Sequence, residues 1–353
     1  MMRRLLLTVV AVAAIAAAAA AGGAWWVSQQ FQAPFQGFQG DEQFVEIPMG
    51  ASTAAIGRQL ADAGVVRDEW IFRAAVWWSG RARMLQAGEY RFERAATPLE
   101  VVTRIAEGRV FGRPLTFPEG LTIAEMAEIF EMRGFGPARA FQTAARNTEA
   151  VSDLDPAARD LEGYLFPATY ALSRTATAEE LVAMMVERFR SVWAEVSGTR
   201  ALDGMTVRQV MALASLVEKE TAAPEERPLV SAVYRNRLER RMGLQADPTV
   251  VYALSKAGRY TGNIRKVDLD INSPYNTYRF PGLPPGPIAA PGRAAIEAAL
   301  EPANVPYLYF VSRNDGSHVF ATTLDEHNRN VRQFQVQYFR DKRAAERSSG
   351  GRD

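Results

Sequence analysis

Two glutamates, Glu218 and Glu220, stand at the end of a predicted helix in the segment LASLVEKET. At about 100° per residue, Glu220 falls inside the apolar stripe that contains Val217, whereas Glu218 falls on the border of that stripe. A carboxyl group that projects from an apolar face loses water, which raises its pKa and lets it act as a general acid near neutral pH. Glu220 is therefore the candidate acid. The alternative is a solvated charge run at a frayed helix end.

A proline- and glycine-rich stretch, residues 273–292, reads SPYNTYRFPGLPPGPIAAPG and predicts little regular structure. Its aromatic rings argue against disorder. Tyrosine rings stack on pyranose faces and amides bond sugar hydroxyls, so we expect Tyr275, Asn276, Thr277 and Tyr278 to bind a saccharide. A purely structural lid is the alternative.

Composition excludes several other chemistries. The chain has 353 residues, with 41 Lys and Arg against 40 Asp and Glu, and this balance argues against nucleic-acid binding. The absence of cysteine rules out disulfides, thiol nucleophiles and zinc–thiolate sites. Only His318 and His327 are present, and their spacing does not match a zinc-binding helix. We expect no metal and no cofactor.

The amino terminus predicts a membrane anchor. Arg3 and Arg4 precede residues 5–27, which carry no charge and as a helix would cover about 34 Å. The positive-inside rule then places residues 1–4 in the cytoplasm and the chain after residue 27 in the periplasm, with the protein anchored in the cell inner membrane. A cleaved signal peptide is the alternative.

The elements that must position these groups predict an α+β fold. Strands at residues 44–47 and 88–92 enclose two helices, the βααβ order of a LysM-type glycan-binding module. Further helices are predicted where a threonine precedes Glu or Gln by three residues, at Thr122, Thr177, Thr206 and Thr323. The predicted division is a transmembrane helix (5–27), a linker (28–41), a LysM-like module (42–112), a mixed α/β catalytic domain (113–340) and a charged tail (341–353).

Several segments, taken together, resemble the YceG-like (MltG) family of membrane-anchored endolytic murein transglycosylases. The resemblance runs in family order over roughly residues 43–330. It is carried by VEIPMGAS at 45, AGEY at 87, PEG at 118, LEGYLFPATY at 161, LASLVEKET at 213, LQADPTV at 244, YNTY at 275, GLPPGPI at 282 and HVFATTLDEHN at 318.

This resemblance implies cleavage of the β-1,4 bond between N-acetylmuramic acid and N-acetylglucosamine within peptidoglycan strands. The products would carry 1,6-anhydro ends, and cleavage would limit nascent glycan length. Related enzymes follow the acid with a hydroxyl residue, which favours Glu220-Thr221 over Glu218. Glu162, Glu218, Gln245 and His318 then join the YNTY residues as substrate-binding candidates.

The expected partners are peptidoglycan glycan strands, the membrane through the N-terminal helix, and peptidoglycan synthases. The alternative function, from a different class, is a catalytically idle glycan-binding scaffold for the cell-wall synthesis machinery. An idle scaffold has no need of a lone glutamate in an apolar cleft.

Overall fold

The computed structural model describes residues 14–19, 21–23, 25, 29–198 and 202–341. The chain divides into two compact units. The first comprises Met1–Arg113 with Ala171–Arg174, and the second comprises Pro114–Tyr170 with Thr175–Asp353. The charged tail predicted at residues 341–353 lies, except for Asp341, outside the described residues.

The first unit has the strand–helix–helix–strand order expected from its sequence. Its elements are β1 (Gln43–Ile47), α1 (Thr53–Asp62), α2 (Glu69–Ser79), β2 (Gly88–Phe92) and α3 (Pro98–Ala106). β1 and β2 are antiparallel, with Val45 opposite Tyr90. Both side chains face a core that also contains Leu60, Phe72 and Val101. The alternation of buried and exposed residues along β1 fits a strand with one face on that core.

The predicted linker contributes to this unit. Phe31 is buried in the core of the first unit, and Phe35 forms an isolated antiparallel bridge with Ala96. Burial of these apolar rings in the core of the first unit is favourable, so the segment packs against that unit.

The predicted membrane span, residues 5–27, lies mostly outside the described residues. The described residues in it are 14–19, 21–23 and 25. Within the described part of the chain, no helix is long and apolar enough to cross a membrane. This finding contradicts the predicted inner-membrane location, with a cytoplasmic N-terminus and a periplasmic catalytic domain, and the prediction is corrected accordingly.

The second unit is largely helical. Its helices are α4 (Ile123–Met132), α5 (Ala138–Ala144), α6 (Ala178–Ser197), α7 (Val207–Glu220), α8 (Arg227–Glu239), α9 (Asp247–Lys256), α10 (Arg293–Leu300) and α11 (Leu324–Val331). A π-helical turn, Arg332–Gln337, follows α11. A two-stranded sheet of this unit pairs β5 (Tyr309–Ser312) with β6 (His318–Ala321). Two short strands, β3 (Arg113–Thr116) and β4 (Thr169–Leu172), lie where the chain passes from one unit to the other.

Side-chain caps set the starts of these helices as the sequence predicts. Thr122, Thr177 and Thr206 each form a complete capping box with the residue three positions later. Thr323 caps α11 through its own hydroxyl, but the Glu326 carboxylate turns to Thr322 instead. The caps satisfy backbone N–H groups that would otherwise lack partners, and they fix where each helix begins.

Helix α7 lies at the centre of the second unit. Eight consecutive residues, 210–217, are buried, because α8, α9 and α10 all pack against the helix. A helix buried on all sides has little freedom to shift along or about its axis. The groups at its carboxyl end are therefore held in place by the packing of the whole unit.

Candidate active site

Glu220 is the last residue of α7. The next residue, Thr221, has extended backbone angles (φ −140°, ψ 134°) and ends the helix. The Thr221 hydroxyl accepts a hydrogen bond from the N–H of Ala223 and donates one to Glu226. These contacts form a tight turn, so the helix end does not fray and Glu220 keeps a defined direction.

The Glu220 carboxyl group meets a tyrosine. The Tyr234 hydroxyl on α8 donates to Glu220 Oε1 at 2.6 Å. Burial raises the pKa of Glu220 to about 7, while the Tyr234 hydrogen bond and the charges of His318 and Arg237 act in the opposite direction. At neutral pH a substantial fraction of Glu220 therefore keeps its proton, which is the condition for a general acid.

Glu218 points to a different neighbour. Its carboxylate accepts the N–H of Gly292 at 2.9 Å and lies 3.6 Å from the guanidinium of Arg227. Gly292 is the residue before α10, so Glu218 ties the end of the proline-rich stretch to α7. A Cβ added at Gly292 would lie 1.8 Å from the Glu119 carboxylate, so the Glu119 side chain would have to move aside for any larger residue. The structure thus gives Glu218 a contact that holds the loop.

The four residues of the YNTY segment face in different directions. Asn276 and Thr277 are buried (0% and 1% exposed). The Asn276 amide donates to the carbonyl oxygens of Leu269 and Ile271, and the Thr277 hydroxyl accepts the N–H of Ala246. Both side chains therefore shape the loop from inside, and neither is free to meet a saccharide.

Tyr278 is the member of this segment that lies beside Glu220. Its hydroxyl donates to Asp247 at 2.6 Å, and it is 36% exposed. Burial, and then the neighbouring Asp247 carboxylate, raise the pKa of Tyr278 above its ordinary value, and the charge of Glu220 adds to this effect. Tyr278 and Asp247 thus form one wall of the site around Glu220.

Gln245 stands just before α9 in an unusual backbone conformation. Its φ is +50°, a region that non-glycine residues seldom occupy. Its N–H donates to the Thr277 carbonyl oxygen at 3.3 Å, and its side chain is exposed. Strained conformations of this kind concentrate at functional sites. The side chain is two residues from Asp247 and is available to a ligand.

His318 is fixed by a buried carboxylate. Glu226 accepts from the His318 backbone N–H at 2.7 Å, lies 2.6 Å from its Nδ1 and also accepts from Thr221. Burial raises the pKa of Glu226, but the hydrogen bonds from His318 outweigh it and leave this pKa below its ordinary value. The histidine is thereby held next to the end of α7, where its charge influences Glu220.

Glu162 and Tyr275 lie apart from this group. Glu162 is 7% exposed and accepts hydrogen bonds from the Ile123 N–H and the Tyr252 hydroxyl, both at 3.1 Å. It lines a cavity of about 210 Å³ with Tyr252 and Lys256, and a second of about 360 Å³ with Tyr275. Burial raises the pKa of Glu162 to about 8.

Helix α9 explains why the predicted site residues form two groups. Asp247, at its first residue, belongs to the Glu220 group, whereas Tyr252 and Lys256 contact the Glu162 group. Asp247 and Tyr252 are about 7.5 Å apart along the helix axis. Glu220, Tyr278 and His318 thus share one environment, and Gln245 stands next to it. Glu162 and Tyr275 share another.

Four residues that sequence reasoning missed complete the Glu220 environment: Tyr234, Arg237, Asp247 and Glu226. Arg237 donates to the carbonyl oxygens of Leu308 and Leu244 and so ties α8 to the segments on either side of it. The apolar spacing of Val230, Val233 and Tyr234 predicts burial of this face of α8. Nothing in that pattern reveals which carboxylate the tyrosine meets. Within the described part of the chain, no three His, Asp or Glu side chains are grouped as metal ligands.

Known proteins resemble this chain in both sequence and fold. The model of the YceG-like family matches residues 45–333. A crystal structure of a putative YceG-like protein from Listeria monocytogenes superposes with a TM-score of 0.56 at 32% identity, covering 82% of this chain and 98% of the other. The chain therefore belongs to the YceG-like family, and the family predicted from the sequence motifs is confirmed.

Two relatives carry names that state an enzymatic activity. An endolytic murein transglycosylase of Bacillus subtilis is 31% identical over 310 residues, which cover 81% of this chain and 82% of the relative. An endolytic murein transglycosylase of Streptococcus pneumoniae serotype 2 is 32% identical over 317 residues. This match covers 81% of the present chain and 57% of the streptococcal protein, so the chain spans little more than half the length of that relative.

Proposed function

We propose that this chain is an endolytic murein transglycosylase, a lyase that cuts peptidoglycan glycan strands internally. The names of its relatives support this activity. The observation that carries the proposal at the level of residues is Glu220, a carboxyl group whose pKa is raised to about 7 at the end of a buried helix. This combination gives the chain a proton donor that is effective at neutral pH.

The reaction needs one carboxyl group. Glu220 donates its proton to the glycosidic oxygen between N-acetylmuramic acid and N-acetylglucosamine as the bond to the anomeric carbon breaks. The muramyl 6-hydroxyl bonds to that carbon, and its proton returns to the Glu220 carboxylate. The nucleophile belongs to the substrate, so the second carboxylate of a two-carboxylate glycosidase is not required.

Other residues take supporting roles in this proposal. Gln245, Tyr278 and His318 contact the saccharide around Glu220. Asn276, Thr277 and Glu218 hold the loop that carries Tyr278. Glu162 and Tyr275 bind a more distant part of the substrate. The βααβ unit acts as a LysM-like module that holds the glycan, and peptidoglycan synthases are the proteins whose nascent strands are shortened.

The decisive experiment is digestion of purified sacculi followed by mass analysis of the soluble fragments. The proposed reaction leaves 1,6-anhydro-muramyl ends, which are lighter by one water than the reducing ends left by hydrolysis. Reducing muramyl ends would show that the enzyme is a hydrolase and would overturn the mechanism.

Two variants on the same helix separate the roles of its glutamates. Glu220→Gln keeps the shape but removes the proton, so we expect a loss of about 10²- to 10⁴-fold in rate. Glu218→Gln can still accept the Gly292 N–H and should cost much less. The opposite ranking of the two variants would assign the acid to Glu218.

A further inference from the structure

One hydrogen bond joins helices α7 and α8 at the candidate acid. The Tyr234 hydroxyl lies 2.6 Å from Glu220 Oε1. Tyr234 is 1% exposed, and its ring packs edge-on against Phe310, with the ring centroids 6.1 Å apart. The phenol is therefore confined to one position and cannot act as a mobile sugar-binding group.

The direction of this hydrogen bond follows from burial. Burial raises the pKa of Tyr234 well above its ordinary value, so the phenol keeps its proton and is the donor. Oε1 of Glu220 is thereby occupied. Among the described residues, no group donates to Oε2, and this oxygen is not one of the buried polar atoms left without a partner. Oε2 is thus the oxygen that is open to the site.

We propose that Tyr234 is a positioning residue for the reaction: it holds Oε1 of Glu220, so that the transferred proton is carried by Oε2. This inference rests on the proposed function for its catalytic consequence. The phenol also stabilises the carboxylate that forms when the proton leaves, and hydrogen bonds to charged groups are about twice as strong as those between neutral groups.

Other charged and titratable groups face Glu220, but through space. They are Arg237 on α8, Asp247 at the start of α9, Tyr278 in the proline-rich stretch and His318 on β6. Arg237 and His318 favour the ionised form of Glu220, whereas Asp247 disfavours it. Tyr234 is the group that hydrogen-bonds directly to the carboxyl and so lowers the pKa of Glu220. Removal of the Tyr234 hydroxyl should therefore raise this pKa further.

The first test measures the proton affinity of Glu220 without using activity. Glutamate labelled with ¹³C at Cδ is incorporated into the full chain, and the Glu220 signal is identified by its absence in Glu220→Gln. Tyr234→Phe removes only the hydroxyl. We expect the titration of Glu220 to move upward by about one pH unit, since a hydrogen bond to a charged group is lost. An unchanged titration would overturn the proposal.

The second test measures cleavage of soluble, uncrosslinked glycan strands between pH 5 and 9. In Tyr234→Phe we expect kcat to fall about 10- to 100-fold while KM stays unchanged, because the phenol does not contact substrate. The alkaline limb of the rate profile should move to higher pH together with the ¹³C titration. A rise in KM with unchanged kcat would contradict a positioning role.

A matched control is available in the same unit. Tyr164 is also 1% exposed and also donates to a carboxylate, that of Asp155, at 2.6 Å. Tyr164→Phe should cost comparable stability yet leave unchanged the Glu220 titration and the pH at which the alkaline limb of the rate profile falls. If Tyr164→Phe moves them equally, the effect is general destabilisation and the proposal fails.

A second route covers the case in which Tyr234→Phe does not fold. Uniform replacement of tyrosine by 3-fluorotyrosine makes each phenol a stronger donor, so Glu220 should titrate at lower pH. A titration that does not move would overturn the proposal. Both titrations give their result even if the chain cleaves no glycan, so failure of the proposed function and failure of this inference are distinguishable.

Discussion

Replacement of Glu162 by glutamine should stabilise the chain in alkaline solution. The carboxyl group of Glu162 is buried between the N–H of Ile123 and the hydroxyl of Tyr252. Burial raises its pKa, so the folded chain holds a proton that the unfolded chain releases. Folded stability is therefore fully present below the ordinary glutamate pKa and is lost as the pH rises through the folded value. Glutamine cannot ionise, so the Glu162→Gln variant should not lose folded stability in this pH range.

The size of the effect follows from the two pKa values. The ordinary value is 4.5 and the value for Glu162 is about 8, a difference of about 3.5 pH units. At about 1.4 kcal/mol per pH unit, this corresponds to an upper limit of about 5 kcal/mol in the free energy of unfolding. Water that enters beside the ionised carboxylate reduces the penalty, so we expect several kcal/mol at pH 9 and almost no difference near pH 4.5.

The assay must report on the second unit alone. Trp193 is the one tryptophan among residues 114–170 and 175–353. Its resonance in a chain labelled with 5-fluorotryptophan follows unfolding of this unit in urea. Glu128→Gln, an exposed position on α4, makes the same charge change in water and serves as control. A stability difference between Glu162→Gln and the unaltered chain that stays constant from pH 5 to 9 would refute the reasoning.

Two further outcomes are expected in the loop and before α9. Thr277→Val keeps the shape but removes the acceptor of the Ala246 N–H, so it should lower the free energy of unfolding by about 1–3 kcal/mol. An unchanged free energy of unfolding in urea would contradict the buried role of Thr277. Glycine adopts a positive φ readily, so Gln245→Gly should change the free energy of unfolding by no more than about 1 kcal/mol. The variant should cleave glycan more slowly than the unaltered chain. Full cleavage activity in Gln245→Gly would remove Gln245 from the substrate-binding residues.

Helix α7 shows how far the sequence could predict the candidate site. The capping box at Thr206 and the apolar stripe through Val217 are local patterns, and both are present in the structure. A helix with its start and its buried face known also has the directions of its side chains known. The partly buried position of Glu220 at its end could therefore be predicted without knowledge of its neighbours.

The proline-rich stretch shows where such prediction stops. No period of two or 3.6 residues governs an irregular segment, so the sequence does not tell which side chains point inwards. Asn276 and Thr277 were expected to bind saccharide, but they are occupied by the backbone of their own surroundings. Glu162 is separated from Glu220 for another reason. Its partner Tyr252 lies 90 residues away in sequence, and no local pattern encodes that contact.

The divergent contacts of Glu218 and Glu220 have a consequence for the natural diversity of these proteins. Glu218 anchors a loop through Gly292, and Glu220, the proposed acid, accepts a hydrogen bond from Tyr234. On the proposed mechanism, a natural chain that kept Glu218 and lost Glu220 would retain the architecture but lack the acid. Such a chain would bind glycan without cleaving it. The residues found at these two positions in related sequences would then distinguish proteins that cleave glycan from proteins that only bind it.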